Sequence, residues 1–274
     1  MITKRLSQKG LVHMQGMPML PSYETIHGSR AYGLVKEGAD YDVLGFCVPY
    51  MDDVFPHIKG KIRGFGPRHT GFQQYVHHHI KDDEGKEYDL TIYSIIKFFN
   101  LASQGNPNII ELMFTPDHCV THMDRVGTLV RGKASRFLSK ECYKPFLGYA
   151  FGQLMKAEKG GDPDKVQKKM YHAVRLSLQL EEILREGTLT LDKHVETLTD
   201  IRAGNWDLDE ALHWCRDRKP MLKRLMDESN AVPDKPDMEY LRYRLLMCLE
   251  IMWGELPDDT RRVYDRLSTT YQWT

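Results

Sequence analysis

From Ser22 to about Phe114, short β-prone runs are set between glycines and prolines. Tyr23-Glu24-Thr25-Ile26 and Asp42-Val43-Leu44-Gly45-Phe46-Cys47-Val48 have the length and composition of strands. A third run, Tyr88-Asp89-Leu90-Thr91-Ile92, leads into a helix predicted from Tyr93 to Ser103, where Ile95, Ile96, Phe99 and Ala102 recur at helical spacing. Gly105-Asn106-Pro107 then reads as a helix stop and restart. Beyond about Thr115 the alternation fades, and apolar residues recur at intervals of three and four. Gly160-Gly161-Asp162-Pro163 and Val232-Pro233-Asp234-Lys235-Pro236-Asp237 are the breaks between helices in that half. The pattern predicts an α+β protein: a mixed β-sheet with flanking helices over residues 1–118, joined to a helical bundle over 119–274.

A chain of 274 residues is long enough for two such lobes without covalent staples. Lysine plus arginine and aspartate plus glutamate both number 38, so no global field draws the protein to nucleic acid or to an anionic membrane. A nucleic-acid partner would have to be held by a local patch. The five cysteines are scattered and contain no Cys-x-x-Cys pair, as expected of reduced thiols in a cytosol. The first residues do not form an apolar run of signal length, and no stretch reaches the roughly 18 apolar residues of a membrane span. A cytoplasmic protein with no membrane partner is expected.

The stretch that points to chemistry runs from His27 to Val43. It contains Gly28-Ser29, then ten residues, then Asp40-Tyr41-Asp42. If Asp40 to Val43 begin a strand, the period of two puts both aspartates on one face with Cα atoms roughly 6.6 Å apart. Magnesium takes one or two protein carboxylates together with the phosphates of its substrate, so this pair suits Mg2+ or Mn2+ with a nucleoside triphosphate. Gly28 lets backbone approach a phosphate, the Ser29 hydroxyl can donate to it, and Arg30 can serve as a cationic clamp. Asp89, on the same strand face as Glu87 and Thr91, is the candidate third carboxylate. Each element alone is commonplace, since aspartates beside glycines are usually turn residues. Their order along the chain carries the weight.

Taken together, Gly28-Ser29, the ten-residue spacing and Asp40-x-Asp42 resemble the signature of the DNA polymerase β superfamily of nucleotidyltransferases. More narrowly, Gly28-Ser29-Arg30-Ala31-Tyr32-Gly33 and Ala39-Asp40-Tyr41-Asp42-Val43-Leu44-Gly45-Phe46 are similar to a branch of predicted nucleotidyltransferases of bacteria and phages. Ala39 stands where that branch usually has serine. Lys97-Phe98-Phe99, Gly105-Asn106-Pro107-Asn108 and Glu111-Leu112-Met113-Phe114 continue the resemblance, and Leu147-Gly148-Tyr149-Ala150 and Lys169 to Leu176 extend it less distinctively into the helical half. The resemblance implies a nucleotidyltransferase sheet followed by a helical substrate-binding domain, with Asp40, Asp42 and Asp89 as catalytic metal ligands. It implies transfer of a nucleoside monophosphate from a nucleoside triphosphate, ATP by default, to a hydroxyl on RNA, protein or a small molecule, with release of pyrophosphate.

In the helix spanning Val166 to Leu184, Val166, Met170, Ala173, Ser177, Leu180 and Leu184 share one side, while Lys168, His172, Arg175 and Gln179 share the other. That polar side is either a solvated face or a cleft wall on which His172 and Arg175 hold triphosphate or acceptor; the resemblance favours the second. His77-His78-His79 invites a metal reading, but successive strand residues point to opposite faces. Arg63, Arg68, Phe72 and Tyr75 lie in a segment that is either a loop contacting substrate or an ordinary exposed one, and Met17 and Met19 read as core filling. Two rival functions stand beside the transferase. A non-catalytic, antitoxin-like interaction protein on the same fold would have no need of the three carboxylates, and a metal-dependent phosphohydrolase built on the histidines would release phosphate rather than pyrophosphate.

Overall fold

In the computed structural model, which describes residues 1–13, 20–35, 38–55, 71–254 and 258–271, the strands are β1 (Tyr23–Ile26), β2 (Tyr41–Cys47), β3 (Gln74–Lys81), β4 (Glu87–Ser94) and β5 (Val120–Met123). They form one five-stranded sheet in the order β3-β4-β2-β1-β5. β2 and β4 run parallel, and every other neighbouring pair is antiparallel. The helices, in chain order, are α1 (Ile2–Gln8), α2 (Met51–Val54), α3 (Ile95–Ser103), α4 (Pro107–Met113), α5 (Arg125–Arg131), α6 (Tyr143–Glu158), α7 (Pro163–Glu186), α8 (Val195–Ala203), α9 (Leu208–Glu228), α10 (Met238–Trp253) and α11 (Asp258–Tyr271). The α+β reading is therefore correct. The expectations for Met17, Met19, Arg63 and Arg68 fall outside the described residues.

Three boundaries differ from those read in the sequence. The helix predicted from Tyr93 begins at Ile95, because the Ser94 hydroxyl accepts the Lys97 amide at 3.2 Å and caps it there, leaving Tyr93 in the strand. β2 starts at Tyr41, so Asp40 precedes the strand rather than opening it. The sheet also takes an edge strand, β5, from beyond residue 118, inside the stretch read as purely helical. Its four residues carry too little alternation to be seen in the sequence, and only pairing with β1 defines them.

One face of the sheet carries the main core. Asp42, Leu44 and Phe46 share that face of β2 through the strand's period of two. Phe46 is buried against Phe98 of α3, with ring centroids 4.6 Å apart, whereas Asp42 at the other end is exposed. Helices thus cover one end of the face and leave the other open. The opposite face is closed by α1, whose Leu6 packs in a smaller cluster with Val43, Leu90 and Tyr88. Buried Glu24 fixes α1 there by accepting from the Ile2 and Thr3 amides, at 2.5 and 2.8 Å, at the helix N-terminus.

The helical half is organised around α7. Asp162 caps its start by accepting from the Asp164 amide, Pro163 occupies the first turn, and Gly187 ends it in the left-handed region at φ 64°. From Met170 to Leu184 it is buried on nearly every side, between α6, α8 and α9. Of the polar stripe, Arg175 and Gln179 are buried and His172 is half-buried, so only Lys168 keeps the character of a solvated face. The five cysteines are buried, and among the described residues none is joined in a disulfide. Among the described residues no helix is long and apolar enough to cross a membrane.

Candidate active site

Burial along β4 alternates strictly, with Tyr88, Leu90, Ile92 and Ser94 buried and Glu87, Asp89, Thr91 and Tyr93 partly open. Its open residues share the face of β2 that carries Asp42. The parallel register pairs Asp42 with Asp89 and Leu44 with Thr91, so the two carboxylates stand side by side on adjacent strands, whose backbones lie roughly 4.8 Å apart. All four residues line a cleft of about 300 Å³ between the sheet and the helices. Two larger hollows, of about 570 and 550 Å³ beside Lys140 and Asp234, lie away from these carboxylates.

The turn after β1 delivers Gly28 to the same place. The His27 amide donates to the Asp42 carbonyl at 2.7 Å, extending the β1–β2 ladder by one bond. Gly28 then turns at φ 62°, and a Cβ on it would lie 2.0 Å from Oδ2 of Asp42. The absence of a side chain therefore serves first to let the Asp42 carboxylate lie against the turn. Ser29 and Arg30 follow, but neither lines the cleft. Arg30 donates to the Ala39 carbonyl at 3.1 Å and stacks 3.9 Å above the Tyr41 ring, closing the loop between the turn and β2. Asp40 is exposed and also lies outside the cleft lining.

Although Asp42 keeps part of its surface open, the surrounding protein partly desolvates its carboxylate and raises its pKa, while the nearby His27 and Lys168 lower it and the charges of Asp89 and Asp40 raise it further. Three carboxylates therefore act on one another here. Among the described residues no three His, Cys, Asp or Glu side chains form a ready-made metal cage. The donor set still fits a hard divalent cation, because magnesium needs only one or two protein carboxylates when substrate phosphates complete its shell.

A bulge in β3, with His79 at φ 58°, corrects the simple alternation assumed for His77-His78-His79. His78 is brought into the cleft lining, its Nδ1 3.4 Å from Oδ2 of Asp89, while the His79 amide donates to Oδ1 of Asp89 at 2.8 Å. The His79 ring instead meets Glu87, and His77 meets the Tyr75 hydroxyl. The three rings diverge as expected, but two of the residues hold the Asp89 carboxylate.

Behind the cleft lies a buried polar network that the sequence reading did not assign. Glu111 of α4 accepts from the Tyr32 hydroxyl at 2.7 Å, stands 3.4 Å from Nε2 of His27 and forms an ion pair with Arg175 of α7. The Arg175 guanidinium also lies 4.1 Å above the Tyr32 ring. Burial alone would push the Glu111 carboxyl up, but Arg175, His27 and Tyr32 bring it down to about 2. The Arg175 charge is thus already met inside the protein, although the residue lines the cleft. His172, one turn earlier, has its Nδ1 3.4 Å from Nη2 of Arg175. Burial, then Arg175 and Lys168, hold its pKa down to about 3, so it is neutral at physiological pH with Nε2 left to donate.

These two shifts have the same consequence for stability. An unfolded histidine takes up a proton below about 6.5, whereas His172 in the fold does so only near 3, so stability falls as pH drops through that window. Glu111 adds stability that is present above its ordinary 4.5 and is lost as pH falls toward 2. Thermal melting should therefore be highest above pH 6.5 and decline steadily on acidification. His172→Gln should flatten the part of that decline between pH 6.5 and 4.5, and an unchanged slope would contradict the assignment.

The carboxylates of adjacent strands, the glycine turn beside them and the helical wall facing them agree with the comparison to known proteins. The sequence profile of RlaP, described as an RNA repair pathway DNA polymerase beta family, matches residues 14–242. The chain belongs to the RlaP family. The DNA polymerase β resemblance of the Gly28 to Asp42 stretch is thereby established, and the match runs through the sheet, α6, α7 and much of the helical half. No curated protein sequence matches this RlaP-family chain.

Proposed function

We propose that the protein is a metal-dependent nucleotidyltransferase that moves a nucleoside monophosphate from a nucleoside triphosphate to a hydroxyl at an RNA end. The observation that carries this reading is the register of Asp42 against Asp89 at the open end of the core face, beside the Gly28 turn. The RNA acceptor is favoured by the family's description as an RNA repair pathway group.

In this reading Asp42 and Asp89 hold magnesium or manganese, with Asp40 contributing from the rim and ATP as the default donor. The metal, when bound, supplies positive charge to the transferring phosphoryl group and to the attacking and leaving oxygens. Asp89 lies on the acceptor side, where its carboxylate can take the proton of the attacking hydroxyl. His78 and the His79 amide orient that carboxylate. The Gly28 turn would hold the leaving phosphates, with Ser29 beside it but outside the cleft lining. His172 donates from Nε2 as a neutral imidazole. Lys168, four residues earlier on α7 and near enough to act on Asp42, supplies the cationic contact first assigned to Arg175. Arg175 then positions Tyr32 and Glu111, and Arg30 shapes the loop leading into β2.

The deciding assay is incubation with each α-labelled nucleoside triphosphate, magnesium or manganese, and RNA, with cell lysate in parallel. Label is expected in RNA. Label confined to protein would change the acceptor, and release of inorganic phosphate without transfer would favour a phosphohydrolase. Gly28→Ala provides a sharper check on the site's geometry. Its methyl group must displace the Asp42 carboxylate and strain a left-handed backbone, so turnover should fall about 10²-fold, as misplacement by an ångström can cause. A Gly28→Ala protein with ordinary kcat would argue that Asp42 is not held for catalysis.

A further inference from the structure

The cleft extends beyond its carboxylates to a second group of side chains that the transferase chemistry does not use. Tyr149 and Gln153 project from α6 four residues apart, on one helix face, and Asn108 joins them from the start of α4. Tyr149 is 45 % exposed at the cleft wall, although it is a large aromatic residue. Among the described residues it stacks on no other ring, and the side-chain amides of Asn108 and Gln153 have no hydrogen-bond partner. An unstacked aromatic face beside two free amides, each offering a donor and an acceptor, matches the needs of a flat heterocycle with polar edges.

We propose that Tyr149, Asn108 and Gln153 form a nucleobase subsite, with the Tyr149 ring as stacking platform and the two amides reading the base edge. The assignment rests on the transferase reading above. The open face of β4 runs from Asp89 through Thr91 to Tyr93, and Tyr149 lies near Tyr93, at the end of the cleft away from the Gly28 turn. Phosphates held at that turn would leave a base to extend toward α6. The base belongs either to the donor nucleotide or to the terminal residue of the RNA acceptor, and the same chemistry serves both.

The test uses the full chain with magnesium and three probes: the four nucleoside triphosphates, inorganic tripolyphosphate, and a short single-stranded oligoribonucleotide. Tyr149→Ala should weaken binding of a base-bearing probe by about tenfold or more, as loss of one base stack does, while Tyr149→Trp retains it. Tripolyphosphate should bind Tyr149→Ala unchanged, because it has no base. Weaker triphosphate binding assigns the subsite to the donor, and a loss confined to the oligoribonucleotide assigns it to the acceptor. Gln153→Ala and Asn108→Ala should alter the ranking of the four bases at the affected probe. Tyr149→Ala binding all three probes like the wild type, or losing all three equally, overturns the subsite. A wild-type protein that binds neither triphosphate nor tripolyphosphate with magnesium or manganese overturns the transferase reading itself, and the subsite with it.

Discussion

Asp42→Ala is expected to abolish nucleotidyl transfer, lowering kcat by at least about a thousandfold, while the protein melts as the wild type does. The size follows from the role: a carboxylate that holds a catalytic cation acts on several kcal/mol of transition-state stabilisation, and about 1.4 kcal/mol is tenfold in rate. The fold should survive because Asp42 is solvent-exposed at the open end of the core face and contributes no apolar contact to either side of the sheet. Removing it also relieves the mutual repulsion with Asp89 and Asp40. Asp89→Ala should behave in the same way. Undiminished transfer by a folded Asp42→Ala protein would eliminate this mechanism, whereas absence of transfer by the wild type would favour the antitoxin-like binding module.

Glu111→Gln should have the opposite profile, with a large effect on stability and an indirect one on turnover. Glu111 is 1 % exposed and is the buried counter-charge of Arg175. Neutralising it leaves a guanidinium in the interior with its neighbours Tyr32 and His172 but no anion, a situation that typically costs about 3–5 kcal/mol. For a protein of this size each kcal/mol lowers Tm by roughly 2–4 °C, so a drop of about 10 °C is expected by calorimetry. The double variant Glu111→Leu, Arg175→Met should lose less than the sum of the two single changes, since it removes both charges together. A Glu111→Gln protein that melts within a degree or two of the wild type would mean that the pair is not the lock between α4 and α7.

That buried pair separates the part of the site that is legible in the sequence from the part that is not. The carboxylates and the glycine turn lie within local stretches whose spacing is itself the chemistry, so Gly28, Asp40, Asp42 and Asp89 are nameable from sequence. Arg175 and Gln179 look like the polar face of an amphipathic helix, because helical periodicity records polarity and not what another element brings to meet it. Only the packing of α4 against the turn supplies Glu111 and converts that stripe into a buried pair. His78 was hidden for a different reason. The bulge that turns it toward Asp89 is a property of pairing between β3 and β4.

The chain by itself determined the class of the protein, its glycine turn, the spacing of its aspartates and the change from strand to helix, since strand period, turn chemistry and helical spacing are local. Tertiary structure alone decided that Asp42 and Asp89 stand in register across two parallel strands 47 residues apart, and that Arg30 serves its own loop. It also decided that Glu111 neutralises Arg175, and that Tyr149, Asn108 and Gln153 share one wall of the cleft. Those relations join distant segments, and neither the register of a parallel pair nor the partner of a buried charge is written in the spacing of nearby residues.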